Sequence, residues 1–340
     1  MTTTPPTQRI PTMRALIFDG TSATLTTSHP APSLEPDTSG DAVVRTLRAA
    51  ITSLDLQVTR GLLEFTGVLG HEFVGLVESI AGGDSIGLTG KRVVGSATTF
   101  CGRCDMCQAG LSAHCRDRTM LGIHGRDGCL AERFAIPARN LVAVPDSVDD
   151  DHAIFAESLA SAIQAVRQLT IEGKPYITVL GDGPLGLLMV QLMSRLNASV
   201  RLVGRSSENL ALCEKWGVKH RHVDDIGRRA DQDVVVECTG AAAGLEVAAR
   251  LVRPRGKILL KSLLAPESRI PTGIDLTSIV LKEIELIGSH RGPISESVSM
   301  LARNEVDVVS LIGCRMSLDD GTALLDAVAK PGALKVLVSV

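Results

Sequence analysis

The stretch VLGDGPLGLL, residues 179–188, decides how the second half of the chain is read. An apolar run ends at Gly181. Gly183 and Gly186 complete the spacing G-x-G-x-x-G, and a second apolar run with helical periodicity follows. The spacing alone is weak, but between a strand and a helix it marks a dinucleotide-binding turn. In that reading Gly181 permits the tight turn, Gly183 lets the backbone approach a pyrophosphate, and Gly186 allows close packing. Pro184 and Leu185 open the helix whose N-terminus faces the phosphates. An incidental glycine turn is the alternative.

Working outward, the segments from about residue 150 alternate between helix and strand. DDHAIFAESLASAIQAVRQL reads as a helix with an Asp-rich start, PYITVLG as a strand, PLGLLMVQLMSRLNA as a helix, SVRLVGR as a strand and SSENLALCEKWGV as a capped helix. DVVVECTG, GKILLKSLL and IELIGSH continue as strands. Alternation of this kind implies α/β architecture with a parallel, doubly wound sheet. Residues 13 to about 147 differ: short runs such as MRALIF, AVVRTLRAA, FVGLVESI, KRVVGS and LAERFAIP lie between Gly, Pro, Asp and Ser, the look of an irregular β-barrel or sandwich.

At 340 residues the chain is long enough for about two domains. Hydrophobic residues at 44% and charged residues at 21% are globular proportions, so the chain is not disordered. A formal charge of −3 offers no basic footprint for nucleic acid. With one Trp, one Tyr and six Phe, the cores must be aliphatic. No apolar run reaches a membrane-spanning length of about 18–20 residues. MTTTPPTQRIPT, residues 1–12, lacks an apolar signal-peptide core and reads as a disordered tail, so a cytoplasmic location is expected.

Four of the eight cysteines crowd into FCGRCDMCQAGLSAHC. Cys101, Cys104, Cys107 and Cys115 have the spacing C-x2-C-x2-C-x7-C, with Gly102 and Gly110 available to fold the loop back. Four thiolates so placed suit a closed, tetrahedral, structural zinc site better than disulfides in a reducing compartment. Cys129, Cys213, Cys238 and Cys314 lie in apolar segments and read as buried packing residues.

The end of the second strand of the alternating half bears on the cofactor. An acid there would bind the ribose 2′-hydroxyl of NAD. The sequence instead has Gly204, then Arg205, Ser206 and Ser207: a guanidinium and hydroxyls for a 2′-phosphate, with no repelling carboxylate. NADP is therefore favoured over NAD, the alternative being that Arg205 is a solvated surface charge. A further question is the stretch GVLGHEFVGLVES, residues 67–79, where His71 and Glu72 adjoin inside a run that otherwise reads as a buried strand.

Together GHEFVG, the cysteine lobe, ESLASA, GDGPLG and ECTG, in this order, resemble the zinc-containing medium-chain alcohol dehydrogenase superfamily, near its polyol, threonine and glucose dehydrogenase branch. The resemblance covers nearly the whole chain. It implies a GroES-like catalytic domain with a structural zinc lobe over 13–147 and 289–340, and a Rossmann dinucleotide-binding domain over 148–288 with Thr239 and Gly240 at the cofactor. It also implies a homo-oligomer, dimer or tetramer, acting on a small-molecule alcohol or carbonyl substrate. His71, Glu72 and Glu157 match positions of the family's catalytic zinc site, and Asp55 matches the carboxylate that orients the histidine. Thr52 stands where a cysteine ligand is usual, and Leu54 where a proton-relaying hydroxyl is usual. A catalytic zinc of reduced affinity, held by His71, Glu72 and Glu157, is the expectation, with Glu157 or Glu72 exchanging protons through a water. Loss of that metal is the alternative. Ser53, read on a strand, would face away. The implied activity is hydride transfer between NADP and a secondary alcohol, polyol or sugar. Two other readings stay open: a metal-free reductase of an activated C=C bond, and a nucleotide-binding homologue without redox chemistry.

Overall fold

The computed structural model describes residues 11–34, 40–227, 229–264 and 276–340. The expected tail lies mostly outside these residues, but Thr12 already pairs with Pro30 and begins the strand Thr12–Phe18.

Six parallel strands form one sheet in the order Lys219–His222, Ser199–Gly204, Tyr176–Leu180, Gln232–Glu237, Val252–Leu260, Glu285–Gly288. The order reverses between Tyr176–Leu180 and Gln232–Glu237, which opens a crevice at the carboxyl ends of these strands. Helix Pro184–Met193 starts there and ends five residues earlier than its apolar pattern suggested. Ser194 explains the stop: its hydroxyl donates back to the carbonyls of Val190 (2.7 Å) and Gln191 (3.0 Å). The long helix expected from residue 150 is likewise two helices, Asp150–Ala153 and Ala156–Arg167. The break places Glu157 in a fresh first turn.

A second, mixed sheet runs Leu141–Ala143, Arg92–Gly95, Glu72–Ile80, Asp41–Ile51, Lys335–Ser339, Ile312–Ser317. Its fourth strand carries the C-terminal strand in antiparallel register, Val336 opposite Ile51 and Leu337 opposite Ala50. Ala50 also lies opposite Glu72 on the other side. Three segments distant in sequence thus end side by side at Thr52, Glu72 and Lys335. Gly70, with φ +95°, makes the turn into the strand; a side chain there would lie 2.8 Å from the Leu130 backbone nitrogen. Ala50, Val74 and Val94 of the mixed sheet share one buried apolar cluster with Leu159, Leu187 and Val190 of the helices, so the two sheets are joined through a common core.

Two expectations fail locally. The stretch around Thr52 is not extended: Ser53–Thr59 is a helix, because Thr52 and Asp55 form a reciprocal capping box. Of the four cysteines expected in cores, Cys314 is exposed on a strand and Cys238 is only partly covered. Among the described residues no helix is long and apolar enough to cross a membrane.

Candidate active site

A cleft of about 480 Å³ extends from the crevice of the parallel sheet to the end of the mixed sheet. It is lined by Thr52, His71, Glu72, Glu157, Gly181, Gly183, Pro184, Leu185, Gly204, Arg205, Thr239 and Gly240. Asp55, fully buried, sits behind His71.

At the nucleotide end, a Cβ on Gly181 (φ +107°) would lie 2.6 Å from the Cys238 carbonyl oxygen, and one on Gly186 would lie 1.8 Å from that of Gly181. Neither position accepts a side chain. Gly183 has open space above it and caps the ten-residue helix without a side-chain hydrogen bond, leaving that helix N-terminus bare. Bare N–H groups at the positive end of a helix dipole fit a pyrophosphate. Thr239 donates its N–H (2.8 Å) and hydroxyl (2.5 Å) to Glu237, and the Gly240 N–H donates to Ser262 (2.9 Å), which shapes the facing loop.

The end of strand Ser199–Gly204 corrects the sequence reading. A carboxylate is present: Asp182 accepts the backbone N–H groups of Arg205 (2.9 Å) and Ser206 (2.7 Å). Sequence spacing missed it because it comes from the glycine loop. The Ser206 hydroxyl is engaged as a helix cap, accepting from Asn209 N–H at 3.2 Å. The Arg205 side chain is exposed and lines the cleft. Gly204 packs on Asp182, and a Cβ there would lie 2.4 Å from the Asp182 Cβ.

The cysteine lobe forms a separate centre. The ligand atoms of Cys101, Cys104, Cys107 and Cys115 all lie within 4.8 Å of one another. Backbone N–H groups, chiefly that of Arg116, lower the Cys104 thiol to about 6, while desolvation pushes Cys107 up to about 12. Four thiols cannot all ionise so close together without a cation, so the donor set fits a structural zinc.

The floor of the cleft is different. Asp55 Oδ2 accepts the N–H (2.7 Å) and the hydroxyl (3.0 Å) of Thr52, whose hydroxyl in turn accepts from Leu54 N–H at 3.1 Å. Asp55 Oδ1 meets His71 Nδ1 at 3.0 Å. Glu72 pairs with buried Lys335 and accepts from the Ser158 hydroxyl, to which Lys335 also donates at 2.8 Å. Glu157 pairs with buried Arg291. Both carboxylates expected to hold a catalytic zinc are thus neutralised by the chain's own cations. Among the described residues the four cysteines are the one set of three or more His, Cys, Asp or Glu side chains that converges. The floor as folded does not fit a divalent ion. Deeper in the cleft Lys261 donates to Ser161 and His290 oxygens at 2.8–3.1 Å, and burial lowers its ammonium to about 8. Arg291, Lys335, Ser158 and Lys261 escaped the sequence reading. One signal was available for Arg291: it lies just past a strand of the parallel sheet, at the carboxyl edge where ligands bind.

Residues 38–146 match the model of the alcohol dehydrogenase GroES-like domain, and residues 184–305 that of the zinc-binding dehydrogenases. The chain is 28% identical over 313 residues to an L-threonine 3-dehydrogenase of Chelativorans sp. (strain BNC1), covering 86% of this chain and 88% of the relative. It is 27% identical over 291 residues to a D-arabitol-phosphate dehydrogenase of Enterococcus avium, covering 80% and 81%. Among solved structures it is similar to a zinc-binding dehydrogenase from Sinorhizobium meliloti 1021 bound to NADP, with TM-score 0.83, 27% identity, and 97% and 100% of the two chains covered. It shares the fold of a thermostable alcohol dehydrogenase from Pyrobaculum aerophilum, with TM-score 0.85, 23% identity, and 96% and 99% covered.

Proposed function

This chain belongs to the zinc-type medium-chain alcohol dehydrogenase superfamily, and from that premise we propose that it is an NADP-preferring oxidoreductase of secondary alcohols and ketones. One observation carries the reading. A single cleft joins a bare helix N-terminus and Arg205 at one end to a buried His71–Asp55 pair at the other.

NADP, when bound, supplies or accepts the hydride at nicotinamide C4. In the reducing direction the hydride forms a C–H bond at the carbonyl carbon, the C=O π pair moves to oxygen, and that oxygen takes a proton. The protein supplies position and the proton. The first turn of helix Pro184–Met193 would hold the pyrophosphate, and Arg205 would meet the 2′-phosphate. Asp55 is held in place by Thr52 and accepts Nδ1–H of His71, which fixes the tautomer and leaves Nε2 to exchange a proton with the substrate oxygen. Glu72 and Glu157, expected for that task, are engaged in ion pairs.

Arg205→Gln tests the cofactor reading. It should weaken NADPH binding by about 1.5–3 kcal/mol, the range for a charged hydrogen bond, and leave NADH binding nearly unchanged. Substituting Gly204 as well would confuse the result, since any side chain there meets Asp182. Wild-type protein that binds NADH more tightly than NADPH would refute the preference.

A further inference from the structure

Strand Ser199–Gly204 ends without an acid, yet a carboxylate occupies the place where one would stand. A Cβ on Gly204 would lie 2.5 Å from Asp182 Oδ2, and the three atoms nearest to it all belong to the Asp182 side chain. A carboxylate sent from the glycine turn thus fills the volume of a side chain from the strand end. Gly204 is the residue that leaves room for it.

Asp182 is held there at three points. Its Oδ2 accepts the N–H groups of Arg205 (2.9 Å) and Ser206 (2.7 Å), and its carbonyl oxygen accepts from Asn209 Nδ2 at 3.0 Å. Asn209 is buried and donates also to the Gly332 carbonyl (3.1 Å), so the anchor reaches the segment before the C-terminal strand. The other carboxylate oxygen is left over. Oδ1 accepts no hydrogen bond from a described residue, and Asp182 lines the cleft half-buried. Nε and Nη2 of Arg291 are unpartnered and enclosed, whereas Oδ1 keeps contact with solvent. An open, fixed carboxylate oxygen calls for a hydroxyl donor. In dinucleotide folds the donor at the end of this second strand is the adenosine ribose. Exposed Arg205 adjoins on the same wall, a cation for a phosphate on that ribose.

We propose that Asp182 is the ribose-binding acid of this protein, moved from the strand end to the glycine turn. Its Oδ1 accepts the 2′-hydroxyl of NAD(H), or the 3′-hydroxyl of NADP(H) while Arg205 meets the 2′-phosphate. The cleft therefore takes both cofactors, and its NADP preference is the margin by which Arg205 outweighs Asp182. The proposal rests on the cofactor reading above and adds the residue that opposes Arg205 in the choice.

The test measures Kd for NADH, NADPH and the 2′-deoxyadenosine analogue of NADH by nicotinamide fluorescence. In wild type, loss of the 2′-hydroxyl should weaken NADH binding by about 10- to 100-fold, the value of a charge-assisted hydrogen bond. Asp182→Asn keeps an oxygen for the two backbone N–H groups and removes the charge. It should weaken NADH by a similar factor, hold or tighten NADPH, and bind NADH and its deoxy analogue alike. Asp182→Gly should also lose NADH, and adding Gly204→Asp should regain it by returning the acid to the strand. An Asp182→Asn protein that binds both cofactors as wild type does would overturn the proposal. So would one that weakens both equally, because the carboxylate would then only hold the turn. If the variants do not fold, the wild-type comparison decides: equal binding of NADH and its deoxy analogue defeats the proposal. Wild type that binds NADPH and no NADH would overturn it while leaving the cofactor reading intact. Wild type that binds neither would refute the cofactor reading, and the proposal with it.

Discussion

The cysteine lobe and the floor of the cleft both gather metal-ligating side chains, thiols in one and a histidine with carboxylates in the other, and they handle negative charge in opposite ways. In the lobe four thiols converge within 4.8 Å, and Arg116, which acts on Cys104, is itself paired with Asp105. On the floor Glu72 and Glu157 each have a buried partner, Lys335 and Arg291. The difference teaches that residue type identifies a metal site only after the neighbouring charges are counted. A donor set that lacks internal cations needs an ion to fold, whereas one already neutralised does not.

The largest expected effect lies in the lobe. Cys104→Ser removes a ligand whose thiolate is favoured by backbone N–H groups. Structural zinc in such lobes contributes apparent binding energies on the order of 10 kcal/mol or more to folding. Elemental analysis should therefore find the zinc gone, and thermal unfolding should show a loss larger than for any other substitution considered. Wild-type protein that keeps its melting temperature after its zinc has been stripped would break the comparison from this side.

The next effect belongs to the floor. Lys335→Ala leaves Glu72 buried without its partner, a change that typically costs about 3–5 kcal/mol. Replacing both partners, Glu72→Gln with Lys335→Met, should recover much of the loss, because no buried charge is stranded. Added zinc should stabilise Lys335→Ala and leave wild type unmoved. Zinc that stabilises wild type by a comparable amount would show that the internal pairs yield readily to a metal.

How much of this was legible beforehand depends on sequence distance. The parallel sheet, its glycine turn and the cysteine lobe announce themselves within windows of about 20 residues, because period, turn and ligand spacing are local properties. His71, Glu72, Asp55 and Glu157 were legible as chemistry. Their partners were not: Lys335 reaches Glu72 across 263 positions, and nothing in ALKVLVSV distinguishes a buried lysine from a solvated one at the start of a strand. Asp182 was hidden in another way. It belongs to the turn that signals the nucleotide, so attention to its glycines concealed its carboxylate at the ribose end. The helix Ser53–Thr59 was readable in principle, since T-x-x-D before a short apolar run is a capping signature.

The smallest expected effect is also the sharpest test of the comparison. The family pattern places a cysteine at position 52, and thiolate would add charge and a soft donor beside His71. If a missing ligand were all that kept zinc from the floor, Thr52→Cys should recruit a second ion per chain. The structure leads to a different expectation. The Thr52 hydroxyl accepts from Leu54 N–H and donates to Asp55, so its replacement should cost about 1 kcal/mol of helix capping, visible as a lowered urea midpoint. Glu72 and Glu157 remain bound to Lys335 and Arg291, so elemental analysis should still find one zinc per chain. A second, stoichiometric zinc in Thr52→Cys would mean that the two ion pairs give way once a thiolate is supplied. The floor and the lobe would then differ by one ligand and not by their balance of charge.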